Sequence, residues 1–328
     1  MAVPKILLVS LGGTITMTRD AEGGIIPTLS AADIVRAIPG INAIADIETL
    51  SPMTVPGASL SIDNVLAVAT LIDQRFAAGI DGIVVIQGTD TIEETAFLLE
   101  LVVQSERPVV VTGAMRGPQA PGADGPANVL AATVVAAAPA ASGRGTLVVL
   151  NDEIHAARFV QKSHTSLPSA FASPLAGALG QVAEGRAHFR LCLPQRRAAI
   201  SVAVGIDAPV ALVKMSLGDD GRMLRHLHRL GYRGVVVEGM GVGHVPAAVA
   251  PIIGEVVGQM PVILGTRIHT GQAFRSTYAF AGSETDLLQR GCLSAGSLGS
   301  LKARLLLSLL LRNNSDRNSI AEAFASYA

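Results

Sequence analysis

What this chain lacks narrows its chemistry before any motif is read. Two cysteines in 328 residues, Cys192 and Cys292, are too few for a disulfide framework and lack metal-site spacing. Both read as structural thiols of a reducing compartment. Zinc is not expected either: the 7 histidines are scattered, no H-E-x-x-H occurs, and the pair His226 and His228 reads as part of a solvated helix face. A net charge of −1 leaves no excess of either sign, and no basic block or basic–aromatic interleaving is present. That argues against a nucleic-acid surface and favours a small neutral or zwitterionic ligand. Long apolar runs are missing as well. The opening MAVPKILLVSLGG has too short a run for a signal-peptide core, so a cytoplasmic protein is expected. ARLLLSLLLR is closed by Arg304 and Arg312 well short of a membrane span and reads as a buried helix. There is no G-x-x-x-x-G-K-[ST]. Gly239, Gly241 and Gly243 fall short of a dinucleotide fingerprint, because the last required glycine is His244. No cofactor is expected.

What is abundant is apolar sequence, 49% of the chain, enough for a large core and, at this length, for two domains. Lys5–Ser10, Ile83–Ile86, Val109–Thr112 and Thr146–Leu150 read as strands buried on both faces of a parallel sheet, separated by helical patterns such as Ile62–Phe76 and Asn128–Ala137. Their exits read LGGTIT, QGTDT, GAMRG and NDEIH. In a doubly wound sheet with right-handed crossovers all four open on one edge. The rhythm breaks near RLCLPQRRAAI and resumes with the strands of VALVKMS, GVVVEGMG and PVILGTR. Helical segments Arg222–Leu230, Ala247–Val257 and Ser300–Leu311 belong to this second part. The expected fold is therefore α/β, with a larger N-terminal doubly wound sheet domain (1–190), a linker (191–207) and a smaller C-terminal α/β domain (208–328). The alanine-rich stretch 131–141 reads as helix plus exposed turn.

Several hydroxyls and charges sit at the strand exits. Thr14 follows two glycines, where a bent backbone can present a hydroxyl. A threonine hydroxyl is a weak nucleophile unless a base and an oxyanion site assist it. The alternative is a structural Gly-Gly turn. Thr89 and Asp90 place a hydroxyl beside a carboxylate where a strand ends and a helix begins, a place where α/β sheets bind ligands. The same residues suit helix capping, and Thr91 with Glu94 has the spacing of a capping box. Lys162 follows the strand exit NDEIH. Held against a carboxylate and a hydroxyl, a lysine can relay protons; alone, it is an ordinary surface residue.

The set GGTIT (12–16), GTDTIEETAF (88–97), VTGAMR (111–116) with ADGPANV (123–129), NDEIHAARFVQKSHT (151–165) and GYRGVVVEGMGVGHVP (231–246) resembles the bacterial-type L-asparaginase family, in the same order along almost the whole chain. The resemblance implies an amidohydrolase that converts asparagine, or glutamine, to the acid and ammonia. It implies Thr14 as the nucleophile that carries the acyl group. Thr89 would handle the hydrolytic water, Asp90 would bind the substrate ammonium, and Lys162 would complete a Thr–Lys–Asp relay. Ala114 would line the substrate pocket, Ser59 would meet the substrate carboxylate, and Glu284 would be supplied across a subunit contact of a homodimer or homotetramer.

Two departures stand out. The family's substrate-carboxylate segment aligns within VPGASLSIDNV either as Gly57–Ala58–Ser59 or with Ser59 itself shifted into place. Family members carry a tyrosine in the loop after GGTI, and the comparable position here is Ile25, which cannot hydrogen-bond; Tyr278 is a candidate replacement from another loop. Two other functions share these motifs in part. An amidotransferase amidase subunit carries an N-terminal extension, whereas GGTI here begins at residue 12. An amino-acid-binding protein without catalysis would not need Thr14, Thr89, Asp90 and Lys162 together.

Overall fold

Ile6 to Ser10 are buried without interruption in the first strand, Lys5–Ser10 (β1), and the N-terminal sheet grows on both sides of it. The computed structural model describes residues 3–19, 25–27, 29–193, 199–202 and 204–327. The chain divides into two units, Met1–Ile200 and Ser201–Ala328. The expected linker, 191–207, spans that division, and 194–198 and 203 within it lie outside the described residues.

In the first unit β1 is followed by an antiparallel pair, Met17–Arg19 (β2) and Ile25–Pro27 (β3), then Ala31–Arg36 (α1) and Asp46–Leu50 (β4). Next come Ile62–Ala77 (α2), Gly82–Ile86 (β5), Ile92–Val102 (α3), Val109–Thr112 (β6), Gly125–Ala136 (α4) and Thr146–Leu150 (β7). Glu153–Ala156 (β8), Gln161–Lys162 (β9), Phe171–Ala172 (β10), Gly180–Ala183 (β11) and Arg186–Phe189 (β12) complete it. One sheet has the order β12-β11-β8-β7-β6-β5-β1-β4, while β9 and β10 pair separately. The stretch β4-β1-β5-β6-β7 is parallel throughout, so the exits of β1, β5, β6 and β7 do share an edge. Beyond β7 the sheet turns antiparallel. Asn151 and Asp152, at φ 51° and 60°, make the two-residue turn between paired Leu150 and Glu153. Positive φ at both positions suits the twist of a tight hairpin. NDEIH thus reverses the chain instead of opening a crossover.

Alternate strand residues are buried on opposite faces, as a sheet covered by helices on both sides requires. Ile6, Leu8, Val84, Ile86 and Val110 share a core with Ile34 of α1 and with Val129, Ala132 and Val135 of α4. Leu7, Val9, Ile83 and Val85 are buried on the other face. Ser61 caps α2 through a reciprocal box with Asn64, and its buried Val65, Leu66, Ala69, Ile72 and Phe76 form one stripe. The stretch 131–141 is helix plus turn as expected, with Pro139 and Ala140 exposed, while Ala131, Ala132, Ala136 and Ala141 are buried. Small side chains let α4 approach the sheet closely. A Cβ at Gly82 of β5 would lie only 2.3 Å from the Ala136 carbonyl oxygen.

The second unit contains Val210–Lys214 (β13), Gly234–Gly239 (β14), Ala250–Val257 (α5), Val262–Thr266 (β15), Glu284–Gln289 (α6), Leu293–Ser294 (β16), Ser300–Arg312 (α7) and Arg317–Ala325 (α8). Its sheet, β13-β14-β15-β16, is parallel. Two expectations need correction. The segment Arg222–Leu230 is not an α-helix: a 3-10 turn at Leu224–His226 lies between left-handed Gly221 and Gly231, and its buried leucines, Leu224 and Leu227, stand three apart, the 3-10 period. His226 and His228 are exposed on that turn. A further helix, α8, follows α7 and starts at Asp316, whose carboxylate accepts from the Ser319 N–H. As expected, α7 is buried along most of its length. Among the described residues no helix is long and apolar enough to cross a membrane.

Candidate active site

The carboxyl edge of the parallel strands is assembled by glycines that let loop backbones touch. After β1, Gly12 and Gly13 adopt φ of 105° and 92°, values that L side chains rarely take, and Thr14 opens a 3-10 turn to Thr16. A Cβ on Gly13 would sit 2.0 Å from the Gly88 nitrogen, and one on Gly57 would sit 2.9 Å from the Gly88 oxygen. The loops bearing Thr14, Ser59 and Thr89 are therefore stacked on one another. Thr14 is half-buried and Ser59 is exposed.

At the exit of β5 the expected capping box does not form. Thr91 makes no side-chain cap; its hydroxyl donates instead to the Gly57 carbonyl at 2.9 Å, bolting the Ser59 loop to the start of α3. Gln87, fully buried, donates to Gly88 O and Thr91 Oγ1, both at 3.2 Å. This leaves Thr89 and Asp90 to face Lys162. The Lys162 ammonium donates to Thr89 Oγ1 at 2.9 Å and to Asp90 Oδ1 at 3.2 Å, across more than seventy residues of sequence. Lys162 is placed by β9, which pairs with β10 through Phe171, and by its own N–H, which donates to Glu93 Oε1 at 3.2 Å.

The exit of β6 is clamped from α4. Asp124, the residue before this helix, turns its carboxylate back to accept from Met115 N at 2.9 Å and Arg116 N at 2.8 Å. Asn128 donates to Gly113 O at 2.9 Å and to Asp124 Oδ2 at 3.1 Å, and its oxygen accepts from Asn151 N at 2.9 Å. Ala114 lies fully buried within this loop. Sequence reasoning did not single out Gln87, Glu93, Asp124 or Asn128. For the last two a signal was present: an Asp and an Asn four apart across the start of a helix, inside ADGPANV.

Glu284 and Tyr278 belong to the second unit. Glu284 is fully enclosed: one carboxylate oxygen accepts from Thr277 N at 2.8 Å and Tyr278 N at 2.7 Å, and the other lies 3.2 Å from His244 Nε2. Burial works to raise its pKa, but the Tyr278 and Thr277 amides, its own amide and His244 outweigh that and hold it below the ordinary value. Three contacts thus hold this carboxylate, two from its own loop and one from His244. At the surface this region offers Tyr278, edge-on to His244 with ring centres 4.9 Å apart. The side chain of Ile25 lies outside the described residues.

Chemically, the edge offers a hydroxyl behind two glycines, a second hydroxyl bonded to an ammonium, and an exposed carboxylate. Those are the parts of acyl transfer through a hydroxyl nucleophile. Among the described residues no group of three or more His, Cys, Asp or Glu could hold a metal. The thiols stay apart from this chemistry: Cys192 is exposed, not structural as expected, and Cys292 is buried with its pKa pushed up to about 12 by desolvation.

Family comparison agrees in extent and order. The model described as Asparaginase, N-terminal, matches residues 5–194, and the Glutaminase/Asparaginase C-terminal domain matches 209–324. A probable L-asparaginase of Deinococcus radiodurans is 34% identical over 98% of both chains. The glutaminase-asparaginase of Acinetobacter glutaminasificans is 29% identical over 98% of this chain and 99% of its own. The crystal structure of a probable cytoplasmic L-asparaginase from Campylobacter jejuni superposes with a TM-score of 0.86 at 31% identity, covering 98% of this chain and 99% of that one.

Proposed function

This chain belongs to the bacterial-type L-asparaginase family, and from that premise we propose that it hydrolyses the side-chain amide of L-asparagine through an acyl-enzyme on Thr14. Thr14 Oγ attacks the amide carbonyl carbon; its proton goes to the departing nitrogen, ammonia leaves, and the aspartyl group is held as an ester. Water then attacks that ester. The Lys162 ammonium gives a proton to Thr89 Oγ1 as Thr89 gives its own to Thr14 Oγ, the ester breaks, and the lysine amine takes back the proton shed by the water as aspartate is released. Asp90, with its exposed carboxylate, takes the substrate ammonium, Ser59 the substrate carboxylate, and Ala114 lines the pocket wall.

The observation that carries this reading is the Lys162 ammonium bonded to both Thr89 and Asp90, on a loop pressed against the Thr14 loop through Gly13 and Gly88. A non-catalytic amino-acid-binding protein would need the carboxylate but not the hydroxyl–ammonium contact beside it. We place the protein in the cytoplasm as a homodimer or homotetramer, with Glu284 organising the Thr277–Tyr278 loop that a neighbouring subunit would meet. Glutamine is the second substrate of the same chemistry, supported by the glutaminase-asparaginase relative. The test is ammonia release by the pure protein from asparagine and from glutamine, with Thr14→Ala alongside. Turnover is expected to fall by orders of magnitude in that variant. Near-normal turnover would remove Thr14 from the chemistry.

A further inference from the structure

The two threonine loops are not in register by their own contacts alone; both lean on the start of α4. Gly125, the first residue of α4, faces Ile15, the neighbour of Thr14: a Cβ there would lie 2.8 Å from Ile15 Cγ1 and 3.4 Å from Ala114 Cβ. Gly113, on the loop that Asn128 and Asp124 hold, faces the Thr89 loop: a Cβ there would lie 2.5 Å from Gln87 O and 3.4 Å from Thr89 Cγ2. One short segment thus touches the nucleophile loop through Gly125 and the relay loop through Gly113.

We propose that Asp124 and Asn128 are positioning residues that set the separation of Thr14 and Thr89, by locking the Gly113–Arg116 loop and the start of α4 into one rigid piece. The inference rests on the roles proposed for Thr14 and Thr89. Its chemistry is a matter of saturated valences. Both oxygens of Asp124 are used, one on Arg116 N and the other on Met115 N and the Asn128 amide. The Asn128 amide can point only one way, because its nitrogen faces two acceptors and its oxygen faces the Asn151 N–H. Asn128 also reaches the β7–β8 turn, so three strand exits, those of β1, β6 and β7, are referred to one helix start. Neither side chain is assigned contact with substrate. Each acts through the loops it holds.

The pair is tested by steady-state kinetics of Asp124→Asn and Asn128→Ala, normalised to folded protein by near-ultraviolet circular dichroism. Asp124→Asn keeps the shape and one acceptor but turns an amide N–H toward a backbone N–H. Displacement of reacting groups by a fraction of an ångström to an ångström costs rate steeply, and kcat is expected to fall about tenfold to a hundredfold with KM changed less than about threefold. Gly125→Ala approaches the same geometry from the other side, by pushing on Ile15, and is expected to show the same split. If the variants lose thermal stability while kcat per folded molecule stays within about twofold of the parent, the pair is merely structural and the proposal is overturned. A rise in KM at unchanged kcat overturns it equally. Thr14→Ala in the same series separates the two ideas: if it stays active, the assignment of Thr14 fails, whatever the clamp variants do.

Discussion

Two acid–base contacts, one in each unit, look alike on paper and differ in what they leave unused. Asp90 meets Lys162 with its side chain 62% exposed and the lysine 19% exposed, whereas Glu284 is fully enclosed against a His244 that is 22% exposed. Asp90 keeps an oxygen open to solvent, and Thr89, already bonded to the ammonium, can still offer its own proton. Glu284 has one oxygen occupied by its own loop and the other against His244. A reactive site needs spare hydrogen-bonding capacity aimed at an opening; a structural one spends it all internally. That criterion supports assigning the proposed chemistry to the first cluster, with the second as a brace of its own loop.

Three experiments would break or sharpen this contrast. Replacing Lys162 with Met should have the largest effect, a loss of kcat of roughly 10²–10⁴-fold, typical of losing a proton-transfer group, with little change in unfolding midpoint. Unchanged turnover over the pH range would demote the contact to a surface ion pair. Glu284→Ala should do the reverse. It removes the acceptor of two part-buried backbone N–H groups, each such bond to a charged group being worth about 1.5–3 kcal/mol, so denaturant unfolding should shift clearly while activity per folded molecule stays within a few-fold. Full stability with lost turnover would instead put the carboxylate at the substrate.

The smallest effect is in the acid limb of stability. Glu284 titrates lower in the fold than its ordinary 4.5, so its contribution is complete above that value and is lost as pH falls through the depressed one. His155 of the first unit acts at higher pH. Burial holds its pKa below 6.5 against the pull of Glu153, so the unfolded chain takes up the proton first, and stability declines as pH drops beneath 6.5. Unfolding midpoints from about pH 7 down to about pH 2 should thus show two steps, the lower one beneath 4.5. The upper should be flattened by His155→Gln and the lower by Glu284→Gln. A single step removed by neither substitution would contradict both assignments.

Much of the fold is legible in one pass because its central strands are apolar on both faces and their neighbours carry helical periods. The edge strand β4, DIETL, escaped notice for the opposite reason: its exposure alternates, and little in it marks burial. The Arg222–Leu230 segment misled because two leucines three apart fit a helix and a 3-10 turn equally. Thr91 misled for a subtler reason. Its spacing to Glu94 is that of a capping box, but Gly57 from another loop offers its carbonyl to the same hydroxyl, and the tertiary partner wins.

Local order along the chain determined where Thr14, Thr89 and Asp90 would stand, since a buried strand running into a turn and a helix leaves its polar residues at the sheet's carboxyl edge whatever the rest of the molecule does. Which groups those residues would meet was settled only in three dimensions. Lys162 reaches Thr89 because β9 and Glu93 carry it there, Asn128 ties together two strand exits, and Glu284 turns inward to its own loop. Hydrophobic period is a property of neighbours in sequence. A hydrogen bond is decided by which donor and acceptor come within about 3 Å, and for groups tens of residues apart no local pattern records that distance.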